Sequence, residues 1–140
     1  MIPAQYACNY AMLRFLPYPE TGEFVNVGVL VACQEPCLLD FQIEREMPAR
    51  LKALFPKLDE HAYRDAALAM QMEMERVNGM IRDPKTWQLA FREAVRPRES
   101  VLRFGEVRTI LAADPGLLVG DLFLRYVRME VPAGAPLAGV

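Results

Sequence analysis

Histidine and serine are almost missing from this chain of 140 residues, each occurring once, as His61 and Ser100. A serine triad would need both. His61 falls near the start of a predicted helix and Ser100 just before a predicted strand, with no nucleophile elbow around it. A Cys–His pair would have to recruit the same histidine, whose plain reading is a partly exposed residue in a helix's first turn. No Walker A sequence is present, and no Gly-x-Gly-x-x-Gly precedes a helix, so phosphate-cradling folds lose their usual signal.

Cysteine is scarce too, with three residues at no disulfide-scaffold spacing. Cys33 and Cys37 flank a tight turn and have the look of a redox pair or half a zinc site. Zinc would need a second ligand pair at metal spacing, and none exists. The thiols are therefore expected to be reduced, with Cys33 and Cys37 as small hydrophobes buried at strand ends. No metal and no cofactor is expected, and catalytic residues stay unassigned. Long apolar runs are also absent: none reaches the roughly 18 residues that cross a bilayer, and the stretch 25–33 is interrupted by Asn26 and Gly28. The first residues lack a signal-peptide pattern, so a cytoplasmic protein without a membrane segment is expected.

Basic charge is mostly arginine, which supplies all but three of the 16 basic residues, and the net charge is −2. That balance argues against a general affinity for nucleic acid or anionic lipid. One segment departs from it: Arg92, Arg96, Arg98, Arg103 and Arg108 stand among only Glu93, Glu99 and Glu106. Arginine suits bidentate contacts to phosphate or carboxylate, although such clusters are usually solvated faces.

Alternation predicts a strand over 5–16, with Tyr6, Cys8, Tyr10, Met12 and Arg14 on one face. Pro17, Pro19 and Gly22 reverse the chain. The next strand, 24–33, carries Val25, Val27, Val29, Val31 and Cys33 on its odd positions, a row expected to form a core face. A third strand follows over 37–44. Helices are predicted after Pro48, from Asp59 to about Arg82, and after Asp83-Pro84. The long helix 59–82 carries the stripe Tyr63, Ala67, Met70, Met74, Val77 and Ile81, more consistent with a core face than with a partner helix. Residues 101–112 return to strand composition, with Gly105 expected to split them. A last helix starts at Asp114-Pro115, with Leu118, Leu122, Phe123, Tyr126 and Val127 on one face. The fold class is α+β: an antiparallel sheet, with an N-terminal three-stranded meander plus one or two later strands, and helices packed on one face. Residues 1–130 are expected to form a single domain and 131–140 a flexible tail.

A polar set remains after these exclusions, Arg14, Glu23, Asn26, Arg103 and Arg108, and Gly28 joins it as a binding candidate. Asn26 interrupts a strongly β-forming strand, so it either has partners or faces open space. Gly28, two residues on, is expected on the same face, permitting close approach of a helix, backbone or ligand. Arg14, Glu23 and Asn26 are read as a polar clasp across the first turn.

Arg14-Phe15-Leu16-Pro17, followed by Gly22-Glu23-Phe24-Val25-Asn26-Val27-Gly28-Val29, resembles the opening of a bacterial family known as domain of unknown function 3037. The likeness covers about residues 6–128. It implies a fold unit rather than an activity, since the family has no accepted catalytic residues, and a toxin–antitoxin-like setting beside HipA-like kinases. Three functions therefore compete. The favoured one is a protein-binding or accessory module, partnering a HipA-like kinase or forming a homodimer through helix 59–82. The second is a phosphate- or nucleotide-binding enzyme in which the arginines hold phosphate and Glu23 is a general base. The third is nucleic-acid contact through 92–108.

Overall fold

Gly22 closes the first reversal with φ 77°, in the left-handed region that glycine enters without a Cβ penalty, and it caps a single 3-10 turn at Pro19–Thr21. The strands on either side are β1 (Tyr6–Phe15) and β2 (Val25–Gln34), followed by β3 (Cys37–Ile43). Then come α1 (Ala49–Leu54), α2 (Glu60–Asn78), α3 (Pro84–Val95), β4 (Leu102–Phe104), β5 (Arg108–Ala112) and α4 (Pro115–Tyr126). This computed structural model describes residues 4–131, so the expected tail beyond Val131 lies outside the described residues.

Local cap chemistry sets the helix starts. The Asp59 carboxylate accepts from the His61 backbone N–H, and Asp83 and Thr86 form a reciprocal capping box at α3. Asp114 accepts from the Gly116 N–H, with Pro115 in the first turn. The expected α+β class holds. All strand pairs are antiparallel, in the order β3-β2-β1, with β4 and β5 both lying along the other edge of β1. β4 pairs with Leu13–Phe15 and β5 with Tyr6–Tyr10, so residues 102–112 act as one strand broken near Gly105, as its composition predicts. The Gly105 N–H donates to the Met12 carbonyl at 2.8 Å and holds the break against β1.

The β1–β2 register steps from Leu13↔Gly28 to Arg14↔Asn26, leaving Val27 as the extra residue of a β-bulge. This corrects the predicted faces. Val25 and Val27 pack with Leu30 and Ala32 toward α1, α2 and α3, whereas Val29, Val31 and Cys33 pack beneath α4. The valine row is thus shared between two cores, and the helices cover both faces rather than one. The reason is visible in β2 itself, whose residues 27–33 are all buried, as in a strand covered on both sides. Asn26 and Gly28 likewise part company. A Cβ on Gly28 would lie 2.8 Å from the Gln42 carbonyl oxygen and 3.3 Å from Leu13 Cβ, so its missing side chain serves the approach of β3.

The stripe of α2 behaves as predicted, with Tyr63, Ala67, Met70, Met74 and Val77 buried against the sheet, although the helix ends at Asn78. The Tyr63 hydroxyl donates to the Glu44 carbonyl at 2.6 Å. Burial, then the nearby Glu44 charge, raises its pKa well above the ordinary phenol. The cysteines depart from expectation. Cys8 and Cys33 face each other in register, Cα atoms 4.5 Å apart, and form a disulfide under α4. Cys37 is an exposed free thiol, because the β2–β3 turn carries it outside the core. No helix among the described residues is long and apolar enough to cross a membrane.

Gly28→Ala should lose about 1–3 kcal/mol in denaturant unfolding, because the added methyl meets backbone. Gly120→Ala, in α4 with nothing within 4 Å of the new Cβ, should gain about 0.5–1 kcal/mol. In the native, non-reduced protein, mass spectrometry after alkylation should find Cys37 labelled and Cys8 and Cys33 protected; all three label only after reduction and unfolding.

Candidate functional site

The bulge decides which polar groups meet. Beyond it, the even positions of β1 continue onto the face that α4 covers. That helix sits over Cys8, Val29, Val31 and Ala112, leaving the end of the face near Arg14 uncovered by its apolar side. Directly opposed residues on neighbouring strands project to the same side. Asn26 on β2, Arg14 on β1 and Arg103 on β4 therefore make one cross-strand row. Tyr10 and Arg108 make a second row, four residues or about 13 Å along β1. Between the rows lies a concavity of about 320 Å³ lined by Tyr10, Met12, Asn26, Arg108 and Tyr126.

Arg14 is held on both sides. Its guanidinium carbon stands 4.3 Å from the centroid of the Phe24 ring, a cation–π distance. On the other side is Gly105, where a Cβ would come within 2.7 Å of the same carbon. The absent side chain of Gly105 thus makes the slot in which the guanidinium lies. Among the described residues, the Arg14 Nε–H is buried without a hydrogen-bond partner, and so is Asn26 Oδ1. Asn26 is tied down through its main chain, its carbonyl accepting from Arg50 Nη2 on α1. Arg103 Nε donates to the Ser100 carbonyl at 2.7 Å. Arg108 pairs with Glu106 at 3.3 Å, both side chains largely exposed. Burial first, and then Tyr126, raise the Tyr10 pKa, with Arg108 opposing them, so its phenol remains a neutral donor at the concavity.

Four of the six residues singled out from the sequence thus share one face: Arg14, Asn26, Arg103 and Arg108. Two do not. Gly28 faces the opposite core, and Glu23 sits in the turn, its N–H donating to Thr21 Oγ1 at 3.2 Å. No Arg14–Glu23 ion pair forms among the described residues, so the clasp reduces to Arg14 and Asn26 as cross-strand neighbours. Sequence reasoning missed Tyr10, Met12, Phe24, Gly105 and Tyr126. Tyr10 and Met12 share the period-two face of Arg14 and were within reach; Tyr126, placed on the apolar face of the last helix, is 42% exposed.

The rest of the arginine-rich segment has other work. Arg96 pairs with Glu93 at 3.1 Å, and Arg98 donates to the Ala94, Glu93 and Arg96 carbonyls at the end of α3. Burial, then the adjacent Arg96 charge, lowers the Arg98 pKa. The face around Arg14 is chemically a set of donors: two arginines in register on neighbouring strands, a third farther along, and a neutral phenol. Oxyanions are the ligand class that such donors complement.

No curated protein and no solved structure matches this chain. The model of a family described as protein of unknown function, DUF3037, matches residues 10–127, and the chain belongs to that family.

Proposed function

We propose that this protein is a binding module that receives an oxyanion, phosphate or carboxylate, at the Asn26–Arg14–Arg103 row. One observation carries the reading. Arg14 and Arg103 are register partners on β1 and β4, with no carboxylate paired to either among the described residues. Like charges directly opposite destabilise a sheet, and an anion between them turns that repulsion into two charge-assisted contacts. A catalytic version would need Glu23 beside the arginines, and it stands in the turn. A nucleic-acid version would need a continuous arginine row, and Arg96 and Arg98 are engaged with α3.

The accessory role belongs to the same proposal: a partner protein, with a HipA-like kinase as the candidate the resemblance implies, would present the anion. So does a cytoplasmic location, in which the Cys8–Cys33 bond would be transient.

Titration with inorganic phosphate, pyrophosphate, phosphoserine and acetate, followed by amide chemical shifts, should show saturable binding centred on β1, β2 and β4. The phosphate series separates a small-molecule ligand from a phosphorylated side chain, and acetate reads the carboxylate alternative. Arg14→Ala should weaken it about 10-fold or more, the loss of a charge-assisted hydrogen bond of about 1.5–3 kcal/mol. Glu23→Gln should leave it unchanged. Absence of saturation by every anion would overturn the oxyanion reading. Separately, co-expression with a HipA-like kinase should yield a single co-eluting species on size exclusion; two independent peaks at micromolar concentration would sink that partnership.

A further inference from the structure

The inner face of α2 is buried, and its outer face has a distinct order of chemistry. Leu68 and Met72 are 58% and 60% exposed, one helical turn apart on the same side. A groove of about 400 Å³ runs beside them, with Ala67 among its lining residues, Arg64 toward one end and Glu75 toward the other. From Arg64 to Glu75 the stripe is about 16 Å long. It reads cation, apolar, apolar, anion.

We propose that a second copy of this chain docks on this face, α2 against α2, antiparallel about a two-fold axis near residue 70. The charge order selects both occupant and direction. Turning the helix end for end places Arg64 against Glu75 of the second copy and Asp65 against Arg76 of the second copy, while Leu68 meets Met72 of the second copy. A two-fold contact requires one surface to be its own complement, and this stripe is. A parallel arrangement would set Arg64 against Arg64 and Glu75 against Glu75. The present partners of these charges are all surface contacts: Arg64 pairs with Glu46 at 2.9 Å, Arg76 with Glu73 at 2.6 Å and with Glu93 of α3 at 3.3 Å, and Glu75 accepts from Gln71 at 3.1 Å. Exposed ion pairs are weakly held and re-pair readily. The pairing uses the side of α2 opposite the methionine stripe, and it is independent of the oxyanion face.

A single helix pair is a small interface, so association is of the weak, micromolar class. Sedimentation velocity across a range up to about 300 µM should show a reversible monomer–dimer equilibrium on that scale. Leu68→Glu and Met72→Lys should each give a monomer throughout, with unchanged circular dichroism because both sites are exposed. Arg64→Glu alone and Glu75→Arg alone should weaken the dimer several-fold, and the double exchange should restore it. A wild-type chain that stays monomeric across the range overturns the proposal. So does a dimer that survives Leu68→Glu, or a double exchange that fails to restore association.

Discussion

Between Leu13 and Arg14 the β1–β2 ladder falls out of step by one residue, and much of the molecule is arranged around that slip. Without Val27 as an extra residue, the even face of β2 would run unbroken from Phe24 to Ala32, and Asn26 would point where Leu30 and Ala32 point, into the core beneath α2 and α3. A buried amide there would need partners in a layer whose buried residues are apolar. The bulge instead lets Val25 and Val27 join that core while Asn26 turns to the other side. It also demands the close approach of β3 that Gly28 permits, since any Cβ there would press on the Gln42 carbonyl.

The same slip distributes apolar burial over two layers. Val29, Val31 and Cys33 need a cover of their own, and α4 supplies it with Leu118, Leu122, Phe123 and Val127. Each valine so buried is worth roughly 1.5 kcal/mol or more, which gives α4 a reason to cross to the far side of the sheet rather than join α2 and α3. Cys8 lies directly opposite Cys33 in this second layer, so the disulfide joins the two central strands where α4 covers them.

What could be read from the sequence was what depends on near neighbours. Asp59, Asp83-Pro84 and Asp114-Pro115 announce helix starts because a cap is made within three residues of itself. Alternation in 5–16 places Tyr10, Met12 and Arg14 on one side, and the glycine at 105 marks a real break. The rest depends on register, which is non-local. Neither the bulge at Val27 nor the Cys8–Cys33 pairing can be read until β1 and β2 are aligned residue by residue, and alternation along one strand carries no such alignment. Four members of the polar set were legible because a cation or amide in a strand is conspicuous. Gly28 was misassigned because its face follows from the bulge, and Glu23 because a turn does not have to bring its flanking charges together.

The two glycines of the polar region show how the site's rigidity is built. Gly28 has its space taken by backbone, and Gly105 has its space taken by a guanidinium. The first is a demand of folding. The second has no comparable role in the core, since its missing methyl faces the end of a flexible side chain. With Phe24 on the opposite side, the slot fixes the Arg14 plane, so the ordering entropy of that side chain has already been met by the fold. Arg103 is oriented in the same way by the Ser100 carbonyl. The sheet thus carries two arginines in register on neighbouring strands, each fixed by a neighbour of its own rather than by a carboxylate among the described residues.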